Sequence, residues 1–151
     1  MPDSEGQGDR DAIRAIIISQ FESLSWGEGH APGWDGFAGD FLAEASLFPA
    51  ARPAKPIGVG AFVERMRKLS ETSLRTFDET VLGIDIHVFG NIAIAAAGAE
   101  MIENGAGTSR SVEMMLLVKS EGSWKIAAQA WDKASESNPL PDTLVSAATS
   151  R

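Results

Sequence analysis

The chain has no cysteine among its 151 residues. Disulfides, thiol nucleophiles and thiolate metal sites are therefore excluded. It also lacks any apolar run approaching the ~20 residues of a membrane span, and its opening residues are acidic and polar where a signal peptide would be charged and then apolar. Basic residues are scarce: 13 Lys and Arg stand against 21 Asp and Glu, a formal net charge of -8. Binding a phosphate backbone takes clustered Lys and Arg, so nucleic acid is not an expected partner, and neither is a membrane. What remains is a chain with ordinary apolar and charged fractions, long enough for one domain that buries roughly two thirds of its unfolded surface. The default expectation is a cytoplasmic protein.

The stretch from Ile84 to Asp132 reads as four antiparallel strands in a meander. Ile84, Ile86 and Val88 alternate with polar residues and run into Gly90-Asn91, a pair suited to a tight hairpin turn. That turn sets Val88 opposite Ala93, Ile86 opposite Ala95 and Ile84 opposite Ala97. Asn104-Gly105, taken as a second two-residue turn, sets Ala97 across from Val112, Ala95 from Met114 and Ala93 from Leu116. At Ser120-Glu121-Gly122 a three-residue loop keeps Trp124 and Ile126 on the same buried face, because a slip of one residue would turn every buried side chain outward. Met114 then meets Ala128, Val112 meets Ala130, and Arg110 meets Asp132.

Ahead of the meander, Asp9 can cap a helix to about Trp26 whose Ile13, Ile16, Ile17, Phe21 and Leu24 fall on one face. Trp34, Phe37 and Phe41 mark a short second helix, and Ala45 to Phe48 a short strand stopped by Pro49. A third helix, about Gly60 to Leu69, carries Phe62, Val63, Met66 and Leu69 on one side, with Gly58-Val59-Gly60 read as its start. Leu74 to Leu82 is extended, with a possible bulge at Gly83. Residues 1–8 are expected to be disordered, 9–133 to form the domain, and 134–151, rich in Ser, Ala, Asn and Pro, to be a flexible tail. Three helices followed by a long curved sheet predict an α+β fold, with the helices in the concave face of a mostly antiparallel cone that stays open at one end.

This order resembles the nuclear-transport-factor-2-like superfamily, the SnoaL-like or ketosteroid-isomerase-like cone of the cystatin-like fold. Phe41-Leu42-Ala43-Glu44-Ala45-Ser46-Leu47-Phe48-Pro49 looks like that superfamily's end of helix two and first strand, and Glu121-Gly122-Ser123-Trp124-Lys125-Ile126 like its last hairpin. The resemblance spans about residues 9 to 133 and speaks for fold, because this superfold hosts enzymes, binding modules and oligomerisation domains alike. The isomerase members use a tyrosine and a protonated aspartic acid as oxyanion hole and an aspartate as general base. This chain has no tyrosine, and the place of that base falls near Phe48 or Pro49, neither of which takes a proton.

Two functional readings follow. In the first, the chain is a homodimer that binds a small, largely apolar molecule in the cone, with no assignable catalytic set and no cofactor. The ligand would lie against Trp34, Phe48, Phe62, Met66 and Met114, with Ala128 and Ala130 leaving room for it. In the second, it is an isomerase, cyclase, dehydratase or hydrolase on an apolar substrate, with Asp132 as general base oriented by Arg110, a guanidinium that would lower and fix the carboxylate. The epoxide-hydrolase-like members place an aspartate, arginine, aspartate triad in such a position, and the second carboxylate is missing here. His30 and His87 have no converging ligands, so no metal site is expected. The outer sheet face, read as Ile92, Ile94, Met115, Leu117 and Trp131, is too apolar for a soluble monomer and is expected to be the dimer interface.

Overall fold

The computed structural model describes residues 4–145. In chain order it contains α1 (Ser4–Ser23), α2 (Trp34–Gly39), β1 (Phe41–Phe48), β2 (Ile57–Gly58), α3 (Val59–Glu71), β3 (Phe77–Phe89), β4 (Ile92–Glu103), β5 (Gly107–Ser120), β6 (Ser123–Lys133) and a single 3-10 turn, Asp142–Leu144. The six strands form one sheet in the order β2-β1-β6-β5-β4-β3. Every neighbouring pair is antiparallel except β1 beside β6. This is the α+β architecture expected: helices packed in the concave face of a curved sheet. No helix among the described residues is long and apolar enough to cross a membrane.

Helix α1 buries Ile13, Ile17 and Phe21 against the sheet, and Leu24, just past its last residue, is buried in the same core. The helix starts at Ser4, ahead of the expected cap at Asp9. Asp9 lies inside the helix instead and accepts hydrogen bonds from the Trp124 indole at 3.0 Å and the Lys119 ammonium at 3.1 Å, tying α1 to the last hairpin. Those two bonds hold its carboxyl below the usual aspartate range. Of the eight residues expected to be disordered, 1–3 lie outside the described residues and the rest are helical.

The β3–β4 hairpin has the expected register, with Ile84 opposite Ala97, Ile86 opposite Ala95 and Val88 opposite Ala93, and the pairing shifts between Val81 and Gly83 as a bulge there requires. The next two turns differ from expectation. β4 ends at Glu103 and pairs it with Gly107, so the loop holds three residues, Asn104 to Ala106. Asn104 is pinned by distant backbone: its side-chain oxygen accepts from the amides of Arg75 and Thr76, and its amide nitrogen donates to the carbonyl of Ser73. As a result Ala97 faces Glu113, Ala95 faces Met115 and Ala93 faces Leu117. The β5–β6 loop holds two residues, Glu121 and Gly122, both at positive φ (54° and 80°), as a tight hairpin turn demands. A second register shift, between Leu116 and Leu117 on β5, places the extra residue at Ala127.

These changes exchange the two faces of β5 and of the second half of β6. Met115 and Leu117, expected outside, are 3% and 0% exposed, whereas Met114 and Leu116, expected inside, are 59% and 44% exposed. Trp131 likewise turns inward and meets Phe62 edge-on at 5.6 Å. Ala128 and Ala130 turn outward beside Met114 and Leu116. Past β6 the chain remains part of the fold up to residue 145: Leu144 is buried, and its backbone lies so close over Gly83 and Gly98 that neither position has room for a Cβ. The rest of the segment expected to be a flexible tail, residues 146–151, lies outside the described residues.

Candidate functional site

Three single-residue adjustments bring polar side chains into an apolar interior. On β3 the bulge at Gly83 switches the inward parity, so that Phe77, Glu79 and Val81 lie on the helix side ahead of it and Ile84, Ile86 and Val88 beyond it. On β5 the three-residue loop turns Ser111 and Glu113 inward. On β6 the extra residue at Ala127 switches the inward series from Trp124 and Ile126 to Gln129 and Trp131. Gln20 joins them from α1, where it sits on the apolar stripe between Ile17 and Phe21. All five polar residues line one cavity of about 280 Å³, whose walls include Phe21, Phe37, Phe62, Met66 and Trp131.

The polar groups form a connected set with open valences. The side-chain amides of Gln20 and Gln129 pair reciprocally, both bonds at 2.9 Å. Gln129 Nε2 also donates to Glu113 Oε1 at 2.7 Å. Glu79 Oε1 and Ser111 Oγ are buried and have no hydrogen-bond partner. A buried polar atom left unsatisfied costs on the order of 1–3 kcal/mol, so groups of this kind on a cavity wall suit a ligand that completes them.

Burial holds both glutamates of the cavity toward their protonated forms. Burial pushes Glu113 up to about 7, against the opposing pull of the Gln129 hydrogen bond, which favours the carboxylate. Burial raises Glu79 well above the ordinary glutamate range, and the charge of Glu113 raises it further. Both carboxyls are therefore biased toward the protonated form, Glu113 with a hydrogen bond that favours its ionised form and Glu79 with a negative neighbour that opposes it.

The residues expected to form the site divide between the two faces. Phe62 and Met66 line this cavity. Trp34 packs instead against Trp26, with ring centroids 5.5 Å apart, and under the Arg67 guanidinium. Phe48, Met114, Ala128 and Ala130 border a shallow depression on the opposite, outer face, because the register there is shifted by one. Arg110 and Asp132 are not cross-strand neighbours: Arg110 reaches back across β4 to Glu100 at 3.1 Å, while Asp132 sits opposite Val112 and accepts from the Lys133 amide. Both are exposed. His87 lies on the outer face with Asp85 at 3.4 Å, and no group of three or more His, Asp or Glu among the described residues could hold a metal. The signal for the residues that do converge was present. Gln20 interrupts a helical apolar stripe, and Glu113 and Gln129 are the polar members of otherwise apolar strand centres.

Neither a protein-family model nor a curated protein sequence matches the chain. Its fold, by contrast, is shared with many solved structures. One is a protein from Novosphingobium aromaticivorans provisionally named a scytalone dehydratase, with a TM-score of 0.72 at 13% identity over 100% of this chain and 99% of that one. Another is an uncharacterised protein with a cystatin-like fold from Caulobacter vibrioides, with a TM-score of 0.67 at 15% identity over 85% of this chain and 91% of that one. A third, from Streptomyces avermitilis, is provisionally named a dehydratase of the nuclear-transport-factor-2-like family, with a TM-score of 0.69 at 10% identity over 86% and 99%. The chain has the nuclear-transport-factor-2-like, cystatin-like fold.

Proposed function

We infer that this cone binds a small, largely apolar hydroxy-carbonyl compound and catalyses proton transfer on it, with loss of water as the net reaction. The observation that carries the reading is the pair of glutamates, Glu113 buried and Glu79 half-buried with its Oε1 enclosed and unpartnered, lining one apolar-walled cavity with the unpartnered Ser111 hydroxyl. Glu113 is the better base, because the Gln129 amide stabilises its ionised form; Glu79 is the better acid, because burial and a negative neighbour keep it protonated. In the reaction, the Glu113 carboxylate removes the proton α to the carbonyl while Ser111 Oγ donates a hydrogen bond to the oxygen that becomes negative. The C–O bond at the β carbon then breaks, and the departing hydroxide takes the proton of Glu79 and leaves as water. The dehydratase names carried by two proteins of the same fold agree with this class of reaction.

The test uses 4-hydroxy-4-phenylbutan-2-one, whose dehydration to the conjugated enone is followed by absorbance. Glu113→Gln and Glu79→Gln should each lower the rate by a factor of about 100 or more. The rate should rise as pH climbs through the Glu113 titration and fall where Glu79 gives up its proton. A wild-type rate no faster than buffer across a panel of such β-hydroxy ketones would contradict the reading.

The same reading has the chain working as a homodimer. Ile92, Ile94, Met114 and Leu116 are 53%, 55%, 59% and 44% exposed and form one continuous block on β4 and β5. Asp85 and His87 fringe it on one side, the apolar-centre, polar-rim pattern of a specific interface, and a sheet face can meet its own copy about a two-fold axis.

A further inference from the structure

The cavity has charged residues at its opening as well as in its depth. Arg65 and Lys133 line it and are both exposed, and neither forms a salt bridge among the described residues. They rise from one wall. Phe62 on α3 packs against Trp131 on β6 at 5.6 Å; Arg65 is one helical turn beyond Phe62, and Lys133 is the next inward position beyond Trp131. Glu103, which also lines the cavity, forms no salt bridge with either of them. It stands two strands away on β4 opposite Gly107, whereas Lys133 stands opposite Ser111. Four residues along a strand and two strand spacings across separate the two backbones by roughly 16 Å. In a chain of net charge -8, two cations that line the same cavity, next to the Phe62–Trp131 contact, form a local exception to the overall charge.

The interior imposes the opposite preference. Glu79 and Glu113 share the depth of the cavity, and a negative group driven against them would be desolvated and repelled. We propose that the ligand is an amphiphile with one anionic group, a carboxylate by preference, held at the opening by Arg65 and Lys133 while its neutral, apolar reacting end lies against Glu113 and Ser111. This rests on the reading that a small molecule enters the cavity, and it adds which molecules enter and which way round. A planar guanidinium can grip a carboxylate in two-point fashion, and the ammonium adds an adaptable donor, so the pair selects for charge and sets orientation without blocking the apolar end.

Two ligands of the same body separate the effects: 4-phenylbutanoate, which is anionic, and 4-phenylbutan-1-ol, which is neutral. Binding is read from the fluorescence of Trp131, which lines the cavity, with Trp131→Phe to identify the signal. The expected result is that the carboxylate binds about tenfold more tightly than the alcohol, that this advantage shrinks as salt screens the exposed cations, and that Arg65→Ala/Lys133→Ala removes it. The alcohol's affinity should be the same in wild type and double variant, which shows that the cavity remains intact. Equal affinity of the two ligands for the wild type, or an advantage that survives in the double variant, would overturn the proposal while leaving the cavity as a binding site. Failure of both ligands to bind the wild type would overturn the binding reading and this proposal together.

Discussion

The two faces of β5 differ in polarity, and their burial runs opposite to it. Looking inward, Ser111, Glu113, Met115 and Leu117 are all buried; looking outward, Val112, Met114, Leu116 and Val118 are partly or largely exposed. The face with the glutamate and the serine is the one that excludes water, and the wholly aliphatic face is the one left bare. Burying apolar area contributes about 25 cal/mol per Å², so a chain folding for stability alone would put the aliphatic set inside. It sacrifices some of that gain to hold Glu113, Gln129 and Ser111 in a dry cavity, which is the signature of a site rather than of a core. The aliphatic set then becomes available for an intermolecular contact.

The sharpest way to break this comparison is to place the same charge on either side of one peptide bond. Met115→Lys puts an ammonium against Ala95 and the interior, and should destabilise the fold by about 4 kcal/mol or more, read as a large loss in denaturation midpoint. Met114→Lys should leave the thermal transition nearly unchanged and convert a dimer to a monomer in sedimentation. If Met115→Lys folds normally while Met114→Lys does not, the faces are assigned the wrong way round.

A smaller effect sharpens the inner face alone. The folded state raises Glu113 from 4.5 to about 7, so between those values the native chain keeps a proton that the unfolded chain has lost. The Glu113 contribution to stability therefore falls as pH rises from 4.5 to about 7 and levels off above. Glu113→Gln removes that cost, and its stability relative to wild type should improve by about 3 kcal/mol between pH 4.5 and 8 in denaturant titrations, at 1.36 kcal/mol per unit. A constant difference would mean that Glu113 titrates as a solvated group. The smallest effect belongs to the outer rim: Arg110→Ala breaks only an exposed pair with Glu100 and should shift stability by less than ~1 kcal/mol, with no change in ligand binding.

How far the sequence could be read depended on whether a strand had one apolar face or two. β3 beyond Gly83 alternates Ile84, Asp85, Ile86, His87, Val88, and its register with β4 was legible down to the facing pairs. Helix α1 was legible for the same reason. On β5, Val112, Met114, Met115, Leu116, Leu117 and Val118 offer apolar groups to both faces, so the pattern could not detect a slip of one residue, and the charge of Glu113 argued for the wrong side. The length of the loop at Asn104 is set by hydrogen bonds to Ser73, Arg75 and Thr76, a contact distant in sequence that no local signal announces. The extra residue at Ala127 is an alanine among alanines. Each of these hidden steps moved a polar residue into the cavity, so the part of the fold that was hardest to read contains the candidate site, while Arg110 and Asp132, conspicuous in the sequence, lie on the rim.

The most direct test of the account is to titrate the glutamate side chains themselves, by carbon NMR of protein labelled at the glutamate carboxyl carbon. One carboxyl should titrate at about 7 and a second should keep its proton well above 4.5. Glu113→Gln should delete the first signal and lower the second by removing its negative neighbour, and adding 4-phenylbutan-2-one should move both. A spectrum in which every glutamate titrates near 4.5 and none responds to the ketone or to Glu113→Gln would contradict the claim that the inner face of this sheet carries an acid–base site.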